Sequence, residues 1–476
     1  MEKCGSAFKS IVLIVLSALV CELSAAEEKT PPGRGLYVEF CSSCHGIDLQ
    51  GGNAQSLADG VWQFGSKRHH IIRNIKNGLP HLGMPGYEGT LSDSQTNQIF
   101  DYLKEAESSH TDDTVVKLEP LQTLDYMIDV QVYADGLEVP WSIAFIDSDA
   151  ALVTERPGRL RLVKDGILHK APIRGTPKVL NEGQGGLLDV AVDPEYPKNG
   201  WVYLAYSHAL ESNDLTRPGA MTRIVRGRIK QHAWTDEQVV YEAPHRTYRT
   251  TRHHYGCRIV FDHKGYLYFG IGERGEQDQA QDLSRPNGKI HRIGSDGSIP
   301  QDNPFVHTKD ALPTIYCYGN RNPQGLAVHP ATGDIWETEH GPLGGDEVNL
   351  IKAGVNYGWP VISYGRNYDG TIITELEEKS GMAQPILYWK PSIAVCGMDF
   401  QRGDLFTLWK NHLLVTALKY EELRLLDIKD NRVLHDEIIL KNAGRVRDVT
   451  CGPDGAIYVV LNEPGRVLRL TPLKAR

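Results

Sequence analysis

One pattern recurs six times along this 476-residue chain, and it limits the fold more than any other feature. Each copy is a run of alternating apolar residues, a turn with Pro, Asp or Gly, and a second strand-like run rich in aromatics. Clear copies start at Trp141-Ser142-Ile143-Ala144-Phe145, Leu188-Asp189-Val190-Ala191-Val192, Arg258-Ile259-Val260-Phe261 and Gly325-Leu326-Ala327-Val328. Weaker ones start at Gly397-Met398-Asp399-Phe400 and Asp448-Val449-Thr450. Alternation with period two marks half-buried strands. Six copies of roughly 58 residues each leave room for a four-stranded blade and its loops. The expectation is an all-β six-bladed β-propeller over residues 129–476. A pair of β-sandwiches competes, but regular repetition disfavours it. Blades in a ring bring their inner strand ends to one central opening, so a site there draws residues from every repeat.

The chain ahead of the repeats has a different texture. Charged residues at the start (Glu2, Lys3, Lys9), an apolar run over 11–20 and Ser24-Ala25-Ala26 have the layout of a signal peptide, 1–26, cut after Ala26. The apolar run is short for a membrane span. The expectation is export to the periplasm with no stable membrane insertion after cleavage. A net charge of −9 without a basic block excludes a nucleic-acid partner.

Within residues 27–109, the segment Phe40-Cys41-Ser42-Ser43-Cys44-His45-Gly46 reads as a c-type haem attachment site. Cys41 and Cys44 can bond the haem vinyl groups, and His45 is placed to ligate the iron. Helical spacing precedes the motif over 34–40 and returns near 68–76. A capping-box pattern, Ser92-Asp93-Ser94-Gln95, opens a third helix. Met84, in an irregular loop before that helix, suits the second axial position, and Met/His ligation raises the haem potential. His69, His70 and His81 are chemically able to ligate but rank below it. Helix, CxxCH, Met loop and closing helix occur in one order, and the segment resembles a class I cytochrome c, which implies an all-α haem domain. Residues 110–128 are polar, of mixed charge, and read as a linker. Of eight cysteines, Cys257, Cys317, Cys396 and Cys451 show no metal spacing, and export would permit disulfides among them.

In the propeller, Arg321 and Asn322, Lys419, Arg445 and Arg447 fall at corresponding ends of separate repeats, which suggests a polyanionic ligand in the central opening. His254 stands just ahead of an inner strand, and Glu273 ends the neighbouring one. A carboxylate against an imidazole fixes its tautomer and raises its basicity, as a general base requires. Gly341 and Pro342 can offer carbonyls, and Glu347 a carboxylate, to a hard cation such as calcium.

The segments GQGGLLDVAVDP, HHYGCRIVFD, AQDLSRPNGKI, GNRNPQGLAVHP, EHGPLGGDEVNL and NYGWP stand in this order. With them, residues 129–472 resemble the soluble pyrroloquinoline quinone (PQQ)-dependent sugar dehydrogenases, the glucose/sorbosone dehydrogenase family, and most closely its aldose type. The resemblance implies His254 as general base and Glu273 as its support. It implies Gln184, Arg321, Asn322, Lys419, Arg445 and Arg447 as holders of PQQ. Carbonyls of Gly341 and Pro342 would ligate the cofactor calcium, and Glu347 and Tyr357 a second, structural calcium. Trp389 would fall in a loop flanking the cofactor. His253, His340 and Val395-Cys396-Gly397 depart from the glucose-specific pattern. The implied reaction is oxidation of an aldose at C1 to a lactone, with electrons passing through PQQ to the chain's own haem c and on to a downstream acceptor. A calcium-dependent propeller hydrolase such as a lactonase, and a non-catalytic propeller fused to a cytochrome, are the rival readings.

Overall fold

A computed structural model describes residues 31–51, 54–58, 62, 67–79, 84–110, 120–210 and 217–473. The expected signal peptide, and His81, lie outside the described residues. The chain divides into two compact units, Met1–Val115 and Val116–Arg476.

The first unit is helical: α1 (Pro32–Phe40), the one-turn α2 (Ser42–His45), α3 (Arg68–Asn77) and α4 (Asp93–His110). The capping box forms: the Gln95 N–H donates to Ser92 Oγ at 3.3 Å, and the Ser92 N–H donates to Gln95 Oε1 at 2.9 Å. α1 crosses α4 closely at Gly33, where a Cβ would overlap the Gln98 carbonyl. Beside this crossing Tyr37 is fully buried, its ring 5.5 Å from that of Tyr102, and Ile71, Ile75, Ile99 and Leu103 complete the core.

The second unit is a six-bladed propeller. Five sheets have four antiparallel strands and one has five. The innermost strands are Pro140–Phe145, Leu187–Val192, Ile259–Phe261, Pro323–Val328, Val395–Phe400 and Val446–Cys451, in blades I to VI. Each contains one of the six sequence copies, because these strands face other blades on both sides and carry the densest apolar pattern. Blade VI closes the ring: Met127–Ala134 pairs with Arg466–Pro472, and Leu121–Gln122 adds at the edge. The expected linker, 110–128, therefore ends too late. Residues from Leu121 belong to blade VI, and the Trp409 indole donates to Asp125 at 2.9 Å. Cys257, Cys317, Cys396 and Cys451 are free, buried thiols rather than disulfide partners. Trp389 sits in the outermost strand of blade IV, Leu387–Trp389, packed in a core cluster rather than in a loop. Among the described residues no helix is long and apolar enough to cross a membrane.

Four inner strands are locked at the ring centre. Arg258 is buried, with its guanidinium 3.0 Å from Asp189 and 3.1 Å from Asp448. The guanidinium also lies over the Trp141 ring at 4.3 Å. One cation thus ties blades I, II, III and VI.

Candidate active site

The loops that enter the inner strands, and those that leave the second strands, meet at one end of the propeller. His254 precedes the inner strand of blade III, and Glu273 follows that blade's second strand, Leu267–Ile271. His254 has φ +56°, a left-handed conformation that is costly for a side chain of this size. Surrounding bonds hold it there. Its N–H donates to Gln184 Oε1 at 2.8 Å. The fully buried Arg274 donates to the carbonyls of Thr251 (2.8 Å) and Ala220 (3.3 Å), and to that of His253. Gly272 lets the two loops touch, since a Cβ there would lie 2.7 Å from Asn322 Oδ1.

Nδ1 of His254 bonds to Oε1 of Glu273, with the imidazole 13% and the carboxylate 2% exposed. A carboxylate only accepts, so Nδ1 carries the proton and Nε2 keeps its lone pair. Burial, helped by the Arg321 charge, holds the imidazole well below its ordinary value. The sequence led us to expect a more basic imidazole; burial outweighs the carboxylate. Burial also pushes the Glu273 carboxyl up, against the pull of Arg321. At neutral pH His254 is a neutral acceptor.

Cations gather beside this pair. Arg321 donates to the carbonyls of His340 and Gly341, both at 2.9 Å, and its guanidinium lies 5.3 Å from the Trp359 ring centre. Arg447 reaches Gln324 Oε1 and Cys396 Sγ, both at 3.1 Å. Burial lowers Arg445, and the neighbouring Arg447 lowers it further. Arg156 behaves the same way and is a further member that sequence reading missed. It follows the second strand of blade I, and only ring closure brings it to Arg447. Arg156 Nε and Arg321 Nε are buried without hydrogen-bond partners, a donor surplus suited to an anion. Lys419 bonds through its N–H to the Ile393 carbonyl, and its ammonium lies 5.4 Å from the Tyr420 ring centre. His340 is held neutral by burial, with Arg447 and Arg321 adding to the effect.

Behind the rim, Glu339 accepts from the N–H groups of Arg321 and Asn322, the latter at 3.2 Å. Asp346 accepts from the Gly341 N–H at 2.8 Å and the Val395 N–H at 3.0 Å, fixing the loop that carries Gly341 and Pro342. Glu347 stands opposite Glu339 across two strands, and Asn349 opposite Glu337. The Asn349 amide donates to Glu337 and Glu347, both at 3.1 Å. Burial, with Glu339 nearby, pushes Glu337 and Glu347 well up, and burial pushes Glu339 to about 7. Three crowded carboxyls are a situation that a cation relieves. Tyr357 spends its phenol on the Leu350 carbonyl (2.6 Å) and the Lys352 N–H (2.9 Å), so its own carbonyl is the group left for a metal. Among the described residues no three His, Cys, Asp or Glu side chains close around a single point.

In the helical unit, His45 Nδ1 lies 2.8 Å from the Gln55 carbonyl. That bond places the proton on Nδ1 and frees Nε2 for a metal. Cys41, the N-cap of α2, and Cys44, within its single turn, are free and partly exposed. Met84 is held in a two-way backbone bridge with Leu79, at 2.9 and 3.2 Å. Trp62 Nε1 is buried without a partner, a donor for a group such as a haem propionate. These residues fit a c-type haem.

The family model for glucose/sorbosone dehydrogenase matches residues 137–469, and that for cbb3-type cytochrome c oxidase subunit III matches residues 28–103. The aldose sugar dehydrogenase YliI of Escherichia coli is 40% identical over 352 residues, which cover 72% of this chain and 93% of that protein. The crystal structure of the soluble E. coli aldose sugar dehydrogenase in its apo-form superposes with TM-score 0.68 at 37% identity, covering 73% of this chain and 100% of that one. The PQQ-bound aldose sugar dehydrogenase of Streptomyces coelicolor superposes with TM-score 0.58 at 25% identity, covering 73% of this chain and 98% of that one. The chain belongs to the glucose/sorbosone dehydrogenase family, and its propeller is preceded by a cytochrome c-type domain.

Proposed function

We propose that this chain is a periplasmic, PQQ-dependent aldose dehydrogenase that oxidises sugars at C1 to lactones and hands the electrons to its own haem c. The observation that carries the reading is the neutral His254 imidazole, bonded to the Glu273 carboxylate and set beside a rim of guanidinium and amide donors. When bound, PQQ supplies a two-electron acceptor for hydride, calcium polarises it, and the haem accepts electrons singly. Nε2 of His254 takes the proton of the C1 hydroxyl, and Glu273 stabilises the imidazolium that forms. Gln184 holds the His254 backbone in its unusual conformation. Arg321, Asn322, Arg445 and Arg447, with Lys419, would hold the anionic quinone. Gly341 and Pro342 would hold the cofactor calcium, and Glu347 with the Tyr357 carbonyl a second one. Cys41, Cys44, His45 and Met84 would hold the haem. Two electrons leave each sugar and one haem stands in the chain, so a downstream acceptor must carry electrons onward.

A hydrolase of this shape would gather carboxylates around a cation in the opening, and here guanidiniums converge instead. The test is reconstitution of the full chain with PQQ and calcium, followed by assay of aldoses with an external dye. Aldonate formed only when PQQ is present supports the reading. Absence of turnover with every aldose and simple aldehyde overturns it.

A further inference from the structure

We propose that Gln324 is a positioning residue that fixes which way the Asn322 amide faces, and so sets the polarity of the ligand-binding rim. The inference rests on the cofactor reading above. Gln324 lies on the inner strand of blade IV at 7% exposure, and Asn322 just ahead of it at 1%. Side-chain amides can sit either way round, and their partners decide.

Here the decision starts at Arg447. A guanidinium has no acceptor, so the group 3.1 Å from Arg447 Nη1 must be the Gln324 oxygen. The Gln324 Nε2 is thereby turned to Asn322, where it donates to Oδ1 at 3.2 Å. The Asn322 oxygen thereby accepts from Gln324, and its Nδ2 has no acceptor among the described residues. Both ends of the relay are anchored. Arg447 Nε donates to Asn462 Oδ1 at 2.8 Å. The Gln324 carbonyl accepts from Arg258 Nε at 3.2 Å, and Arg258 is locked between Asp189 and Asp448. The Asn322 N–H is fixed on Glu339. The relay thus ends in an open N–H donor next to Arg321, which suits an acceptor-rich polycarboxylate. Without the Gln324 amide, Asn322 is free to present its oxygen, which such a ligand repels.

The test is titration of the full haem-loaded, calcium-supplied chain with PQQ, read by quinone absorbance without substrate. Gln324→Met and Asn322→Ala are each expected to weaken binding about 10-fold, the worth of roughly one net hydrogen bond. The double variant is expected to bind no worse than Asn322→Ala alone, because Gln324 acts through Asn322. Wild-type affinity in Gln324→Met overturns the proposal, as does an additive loss of about 100-fold in the double variant. If Gln324→Met lowers the melting midpoint, Gln324→Glu replaces it. That variant keeps the acceptor for Arg447 but cannot donate to Asn322, and unchanged PQQ affinity in it is equally fatal. Failure of the wild-type chain to bind PQQ overturns the cofactor reading and this inference together, whereas wild-type binding with unaffected variants overturns this inference alone.

Discussion

Replacing Glu273 by Gln keeps the side chain's volume and removes its charge, which isolates what the carboxylate does for His254. The carboxylate accepts from His254 Nδ1 through Oε1, its Oε2 is buried without a partner, and the group is almost fully buried. A hydrogen bond to a charged group is worth about 1.5–3 kcal/mol. The developing imidazolium loses that support in the transition state, so kcat should fall about 10- to 150-fold. With its carboxylate 2% exposed, Glu273 acts through His254 rather than on the sugar, so KM should stay within about twofold. The pH response has a definite sign. A neighbouring negative charge favours the protonated imidazole, so its removal drives the His254 pKa lower still. The acid limb of the kcat/KM profile should therefore move to lower pH while the plateau drops. Steady-state oxidation with a dye acceptor, from about pH 5 to pH 9, reads both effects. An undiminished plateau, or an acid limb that moves to higher pH, would refute the assignment of base and support.

Three further outcomes follow from other parts of the chain. Arg258→Met strips the cation from Asp189 and Asp448, two buried carboxylates, and should cost about 3–5 kcal/mol in denaturant unfolding of the propeller; a loss below about 1 kcal/mol would contradict the lock described for the ring centre. Glu339 has a folded value of about 7, above its unfolded value, so its contribution is full below about pH 4 and is lost as pH rises toward 7, by about 3 kcal/mol. Calcium should consequently raise the melting temperature more at about pH 8 than at about pH 5, and equal increments would argue against a cation near the Glu337–Glu339–Glu347 group. Met84→Ala should lower the haem reduction potential in a redox titration, and an unchanged potential would move the axial role to another residue, with His69 and His70 the first to examine.

The sequence showed most clearly what is local. Six alternating runs mark the six inner strands, because each carries apolar residues alternating with others that include buried polar residues such as Ser142, Asp189, Asp399 and Asp448. The capping box at Ser92 and the CxxCH segment are read within a few residues. His254, Glu273, Arg321, Asn322 and Arg447 were placed by motif, and the structure brings them to one end of the propeller. The features that were missed depend on ring closure. Arg156 is an ordinary hairpin arginine until blade I meets blade VI, and Asp189, Arg258 and Asp448 are spread over some 260 residues of chain before they form one lock. The edge strand Leu121–Gln122 is too short to show alternation, so it was taken for linker. The imidazole's basicity was misjudged because the charge of Glu273 is visible in the sequence and the depth of burial is not.

The central claim is that the haem is the exit of the propeller's chemistry, and it is tested most directly by following the haem band alone. The PQQ- and calcium-loaded chain is mixed anaerobically with an aldose in a stopped-flow instrument, with no external acceptor. The expected result is haem reduction at a rate independent of protein concentration, abolished in His254→Ala. Aldonate formation with the haem still oxidised, or reduction that scales with protein concentration, would contradict it.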